Sequence, residues 1–363
     1  MRILIDIGHP AHVHLFKHFA WEMQKKRHEI FFTCRDKEFE IYLLKHYRFS
    51  FKSFGKKYNS TPGKIWGMFE FGIKEFLSGL RFKPDLFLSH GSIYAAHASF
   101  LLGKPHIALE DTFNFEQIRL YKPFTNVILT CNYDHPLKSP KVIRYSGYHE
   151  MAYLHPLRFS PDKKVLKELG ISEDEKYVIM RFVSWNASHD IGHKGISKEN
   201  KILAVKEFSK YARVFISSES ELPQELAGYK LNIPPHKIHD ALAFATLLFA
   251  ESFTMPAECS ILGTPSIIIH DNIALQLQEQ QNKYGLCFKY SESEEDQQMA
   301  IKKGIELLNT SYIKKEWASR RDRMLSEKID VTAFLVWFVE NWPESFVIMK
   351  KVPDYQNKFM VHA

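Results

Sequence analysis

Residues 247–270 read LLFAESFTMPAECSILGTPSIIIH. Leu247–Ala250 is a short apolar run, a polar loop follows, helical spacing runs from Met255 to Leu262, and Pro265–His270 is apolar again. Two strand-like runs joined by a helix make one βαβ unit of a parallel sheet. Pro256 suits a first helical turn, where its missing N–H costs nothing. Gly263 closes the helix and Pro265 opens the next strand. The helix start then leaves backbone N–H groups and a positive dipole end just past a strand, which favours an anion. Ser252 and Thr254 add hydroxyls beside Met255. Glu258, expected in the first turn, can accept two ribose hydroxyls, as acidic residues do in dinucleotide sites. The same residues also fit a plain helix whose Ser and Thr act as caps and whose Glu258 is favoured by the dipole.

The pattern extends in both directions. Towards the N-terminus, strands are expected at Arg2–Gly8, Glu29–Thr33, Ser50–Phe54, Asp85–Ser89, His106–Leu109 and Asn126–Cys131, with helical segments between them. The period breaks in GYHEMAYLHPLRFSPD, residues 147–162, which reads as a connection between domains. Alternation restarts with strands at Tyr177–Val183 and Arg213–Ser217, a further short strand is expected at Leu286–Phe288, and the chain ends in helical stretches. The expected fold class is α/β, with two Rossmann-like domains facing a cleft: 1–150, 151–340, and a tail, 341–363, returning to the first domain. Ligands of such sheets lie beyond the carboxyl ends of the strands.

The chain has 363 residues, enough for two domains, and 45% are apolar. Its four cysteines are scattered without metal-ligand spacing, which fits a reducing, cytoplasmic setting. No run is apolar for the ~18 residues a membrane span needs. The net charge of +7 favours acidic partners without choosing among them.

After the first strand comes Gly8-His9-Pro10-Ala11-His12-Val13-His14. Gly8 allows a close turn, His9 flanks it, and His12 would stand at a helix mouth, able to take a proton from a hydroxyl near neutral pH. His14 and His18, four apart, are a workable ligand pair, yet no Glu or Cys completes a metal site, and no metal is expected. Glu110-Asp111 ends a strand and could serve an acceptor. Arg181 ends a strand of the second half, where a guanidinium can neutralise a diphosphate. A surface ion pair is the simpler role for it. Ser217 and His239 stand at further strand and helix ends.

Residues 45–83 carry nine Lys or Arg, only two acids, Glu70 and Glu75, and ten aromatics. Such a stretch can lie on an anionic membrane surface or bind nucleic acid; it is also what a solvated helix over core aromatics looks like.

Thr254-Met255-x-x-Glu258-x-x-x-Leu262-Gly263-Thr264-Pro265 resembles the donor signature of GT-B glycosyltransferases and the related nucleotide-sugar 2-epimerases. More closely, the chain is similar to a family of poorly characterised glycosyltransferase-like proteins of bacteria and archaea. The matching blocks are DIGHPAHVHLFKHF (6–19), HGSIYAAHASFLLGKPHIALED (90–111), YHEMAYLHPLRFSPD (148–162), YVIMRFVSW (177–185) and FTMPAECSILGTP (253–265). The resemblance implies a GT-B fold and a nucleotide-sugar, a UDP-sugar above all, as substrate without a further cofactor. It places Glu258 on the ribose, Ser252 and Thr254 near the phosphates, and Arg181, Ser184, Ser217, His239 and Met255 on the donor side. Gly8, His9, Glu110 and Asp111 fall to the acceptor side. In the lipid-linked N-acetylglucosaminyltransferase of peptidoglycan synthesis a Gly-His-Val run fills the first loop; Ala11-His12-Val13 stands there here, which singles out His12 as base. Phe253 is a departure, since GT-B proteins commonly carry glycine in that loop. The expected activity is sugar transfer to a glycan or lipid-linked acceptor, with no nucleic acid partner and a place in the cytoplasm or at the inner membrane face. A 2-epimerase and a non-catalytic nucleotide or polyanion binder are the alternatives.

Overall fold

The computed structural model describes residues 1–56, 58, 61–183 and 193–361. Ser184, expected on the donor side, and Lys57 of the basic stretch lie outside them. The chain divides into two compact units, Met1–Tyr153 with Lys328–Ala363, and Leu154–Glu327.

The first unit is built on β1 (Arg2–Ile7), β2 (Glu29–Asp36), β3 (Phe51–Lys56), β4 (Leu86–His90), β5 (His106–Glu110), β6 (Val127–Cys131) and β7 (Val142–Tyr145). All pair in parallel, in the order β3-β2-β1-β4-β5-β6-β7. The apolar runs are buried on both faces, as parallel sheets require. β7 is the strand the sequence pattern does not announce: four residues at a sheet edge, with Arg144 exposed. Chain order reverses between β1 and β4, so the loops beyond these two strands flank the switch point where ligands bind in such sheets.

The second unit holds β8 (Tyr177–Phe182), β9 (Arg213–Ser218), β10 (Leu247–Ala250), β11 (Ser266–Ile269) and β12 (Cys287–Tyr290). They form a parallel sheet in the order β12-β11-β10-β8-β9. Its reversal falls between β8 and β10, whose carboxyl ends carry Arg181 and the Glu251-Ser252 loop.

The boundary expected at residue 340 is corrected to 327. The helix Val331–Glu340 is apolar nearly all round and has no exposed residue, and its position in sequence does not say which sheet it covers. Long-range contacts decide it. Ile329 N–H donates to Ser146 O at 2.8 Å, the Thr332 hydroxyl to Ala152 O at 2.8 Å, and Phe334 packs 5.5 Å from Tyr145, all within the first unit.

Candidate functional site

In the first unit the site grows from the end of β1. The helix Pro10–Lys25 starts two residues before His12, because Pro10 fits its first turn and His9 Nδ1 accepts the Ala11 N–H at 3.2 Å. His12 therefore sits in the first turn, and its Nδ1 accepts the Gly8 N–H at 3.2 Å. A Cβ on Gly8 would stand 3.1 Å from Arg35 Nη2, so glycine keeps room for that guanidinium. Arg35 is ion-paired with buried Asp6, which also accepts from Thr33 and Ser92. This network ties β1 to β2 and to the helix Ile93–Leu101.

β4 ends in His90, and Asp111 follows the end of β5. His90 Nε2 lies 2.9 Å from Asp111 Oδ1, and His149 Nδ1 lies 3.0 Å from Asp111 Oδ2. The His12 ring stacks on that of His90 with centroids 4.5 Å apart. Burial pulls the His90 pKa down, but the Asp111 carboxylate outweighs it and lifts the value to about 9. Burial likewise raises Asp111, yet the two histidines hold it well below the usual carboxylate range. Burial, then the charges of His90 and His9, push His12 well below its ordinary value. At neutral pH the site thus holds a neutral imidazole against an imidazolium–carboxylate pair. Because Nδ1 of neutral His12 accepts from Gly8, its proton resides on Nε2. The ring takes up a proton at Nε2 only when the Gly8 bond is exchanged.

Glu110, expected beside Asp111 on the acceptor side, is turned inward. Its Oε1 accepts the N–H groups of Thr112 and Phe113, both at 2.9 Å, and its Oε2 accepts the Tyr121 hydroxyl at 2.6 Å. This carboxylate shapes the loop that presents Asp111.

In the second unit the helix Thr254–Leu262 begins one residue earlier than expected. Phe253 is its cap residue and has no side-chain acceptor, so neither Ser252 nor Thr254 takes the cap position. Phe253 keeps an ordinary φ of −100°, and its ring lies 4.6 Å from that of His270. The loop thus accommodates the phenylalanine without a left-handed residue. Glu258 is not in the first turn but one turn further in, and it is buried. Its Oε1 is 2.9 Å from His239 Nε2, on the neighbouring helix Ile238–Phe244, which joins two residues the sequence offered separately. Met255 is buried in the first turn of the helix that carries Glu258. Arg181 reaches Ser217, its register partner across β8 and β9, at 3.0 Å, and is ion-paired with Glu219.

His90, His149 and Glu251 join the site without being singled out by any motif in the sequence. Glu251, at the end of β10, is buried and accepts from Ile196 N at 2.7 Å, Val183 N at 3.0 Å and Lys201 Nζ at 3.0 Å. Burial raises its pKa. A polar residue just past a strand end was the available signal for His90 and Glu251. His149 had none beyond its place in a matching block.

Two groups among the described residues could hold a metal ion. His90, Asp111 and His149 bring ligand atoms within 4.8 Å of one another, as do His193, His270 and Glu292. Mixed imidazole and carboxylate sets of this kind suit first-row transition metals. His14 and His18 are in neither group: His14 stacks on Tyr153 and His18 meets the edge of Trp21.

Two parallel α/β units of this topology are the GT-B fold of glycosyltransferases and nucleotide-sugar 2-epimerases. Residues 1–318 match the family described as Protein of unknown function (DUF354), and the chain belongs to that family. A relative in Methanocaldococcus jannaschii, Uncharacterized protein MJ0665, is 27% identical over 282 residues, covering 73% of this chain and 80% of that one. Among solved structures, the S. aureus MnaA–UDP complex superposes with a TM-score of 0.68 at 11% identity, covering 95% of this chain and 97% of that one. UDP-GlcNAc 2-epimerase from Neisseria meningitidis bound to UDP-GlcNAc gives a TM-score of 0.59 at 15% identity, with 89% and 98% covered. The glycosyltransferase SsfS6 from Streptomyces sp. SF2575 gives 0.59 at 11% identity, with 94% and 100% covered. At these identities the likeness is one of fold.

Proposed function

We propose that the chain is a glycosyltransferase: its second unit holds a nucleoside-diphosphate-sugar, a UDP-sugar, and its first unit engages the acceptor hydroxyl of a glycan or lipid-linked sugar at His12. The observation that carries this reading is the start of the helix Thr254–Leu262. It lies just beyond β10 at the switch point of its sheet, and Phe253 leaves its first N–H groups without a cap side chain. Such a terminus suits a diphosphate, and the Ser252 and Thr254 hydroxyls stand beside it. Glu258, held by His239, is the carboxylate for the ribose. UDP in the S. aureus neighbour and UDP-GlcNAc in the N. meningitidis one support a uridine nucleotide.

In the transfer, the acceptor oxygen bonds to the anomeric carbon while that carbon's bond to the diphosphate oxygen breaks. The electron pair leaves with the UDP, whose charge the helix terminus and Arg181 balance. The hydroxyl proton passes to His12 Nε2, once substrate has displaced the Gly8 N–H from Nδ1 and the ring proton has moved there. This route needs no metal.

Epimerisation asks instead for acid and base carboxylates. In the first unit Asp6, Glu110 and Asp111 are each engaged by protein partners, which favours transfer. The test is incubation with UDP-sugars, with and without acceptor glycans and lipid-linked sugars. Transfer releases UDP only with acceptor; a UDP-sugar isomer formed without acceptor would make the chain an epimerase. If calorimetry finds no uridine, guanosine or cytidine nucleotide bound, both enzyme readings fall.

A further inference from the structure

The helix Thr61–Phe82 has 22 residues and turns two different faces outward and inward. Its inner face is core: Phe71, Glu75 and Ser78 are buried, and Phe76 and Phe82 join the cluster of Leu4, Phe87, Ala95 and Ala98. Its outer face should be polar on a surface helix. Instead Trp66 is 64% exposed, Phe69 64%, Ile73 60%, Leu77 52% and Leu80 47%. The intervals are three, four, four and three residues. At ~100° per residue these five side chains fall within an arc of about 80°, in a stripe about 21 Å long. Scattered surface apolar residues need no explanation, but a contiguous stripe of large ones does.

The border of the stripe is basic. Arg81 and Lys83 are exposed at the end of the helix, and Lys52 and Lys56 are exposed on the edge strand β3. Lys74 Nζ donates to Phe54 O at 2.8 Å, which holds that strand against this helix. The two acids of the stretch do not offset this charge on the open face. Glu75 is buried, and Glu70 is paired with Lys74 and accepts the Tyr58 hydroxyl at 2.6 Å. Phe100 and Leu101, on the helix packed alongside, are also exposed, with exposed Lys104 three residues on.

We propose that this helix docks the protein onto an anionic lipid bilayer. The Trp66–Leu80 stripe enters the boundary between headgroups and acyl chains, and the surrounding lysines and arginines meet the lipid phosphates. Charge selects this occupant: a flat apolar stripe with a cationic rim complements an anionic bilayer, which offers hydrocarbon and negative headgroups in that order. The helix is already folded on its inner face, so docking needs no ordering step. No helix among the described residues is long and apolar enough to cross a membrane, and attachment of this kind is peripheral.

The full chain is spun with vesicles of phosphatidylcholine containing phosphatidylglycerol, and with vesicles of phosphatidylcholine alone. Sedimentation with the anionic vesicles only, weakening as salt rises, is expected. Tryptophan emission should shift to the blue on binding, and Trp66→Phe should remove that shift. A Trp66→Ser/Phe69→Ser/Ile73→Ser variant with unchanged circular dichroism should partition at least about tenfold more weakly. The proposal is overturned if the wild type stays in the supernatant, or if the folded triple variant still sediments. It is equally overturned if the wild type is a dimer in solution that the triple variant dissolves, since a second copy would then own the stripe. None of these readouts uses turnover, so they stand apart from the reading of the site.

Discussion

The His12 and His90 rings lie face against face, 4.5 Å between centroids and 29° between planes, yet they hold different charges at neutral pH. His90 keeps its proton up to about pH 9 because Asp111 faces it, and His12, buried against that cation, stays neutral. A neutral imidazole can serve an acceptor hydroxyl as proton acceptor or as hydrogen-bond donor. His12→Gln separates the two roles, since an amide donates but is no base. If His12 takes the proton, both His12→Gln and His12→Ala should lower kcat/KM by about 10²- to 10⁴-fold. A glutamine variant within a few fold of wild type would assign His12 to orientation alone. If His12 is the base, the acid limb of the wild-type profile should lie below pH 6.5, because the histidine is pushed down from that value.

Asp111 sets this charge pattern. In Asp111→Asn the carboxylate that faces His90 and His149 is gone, and only the smaller effects of Glu110 and a backbone hydrogen bond then stand against burial at His90. The His90 pKa should fall well below about 9, and that of His12 should rise as its cationic neighbour weakens. Histidine proton resonances followed against pH would read both movements. Removing one partner of a buried pair costs about 3 kcal/mol, and urea unfolding at neutral pH should register a loss of that order. A His90 resonance still titrating near pH 9 in the variant would show that Asp111 is not the cause.

Much of the fold could be read from the chain because apolar runs and helical spacing are local. Eleven of the twelve strands follow from such runs, and β7 escapes because four residues with an outward Arg144 make no run. The site was less legible for the same reason in reverse. Asp111 meets His90 and His149 across separations of 21 and 38 residues, set by strand order and not by local pattern. Glu110 and Asp111 are neighbours with opposite fates, and only the position of Tyr121 and the loop N–H groups decides which one turns inward. His239 and Glu258 each stood out in sequence, while their bond depends on how two helices pack.

Chelation tests the metal-free route. The His90, Asp111 and His149 atoms are close enough to share an ion, but Asp111 can equally be satisfied by the two histidines alone. If transfer needs only the helix terminus and Arg181, dialysis against EDTA should leave turnover within about twofold of its starting value. A loss restored by added zinc or manganese would make these three residues, or His193, His270 and Glu292, ligands.

His106 carries a stability prediction with a definite sign. It is fully buried on β5, with Nε2 2.9 Å from the Ser89 hydroxyl and Nδ1 2.7 Å from that of Thr125. Burial pushes its pKa from 6.5 down to about 3. Between those values the unfolded chain binds a proton that the folded chain refuses, so the stability from this group is complete above pH 6.5 and falls as pH drops towards 3. The slope reaches about 1.4 kcal/mol per pH unit. His106→Asn leaves two buried hydroxyls poorly matched and should cost about 1–3 kcal/mol near neutral pH. It also removes the titrating group, so its stability should decline less steeply than that of the wild type between about pH 7.5 and about pH 5. Urea unfolding of both proteins at the two pH values gives the slopes directly, and equal slopes would mean that His106 is not held neutral by the fold.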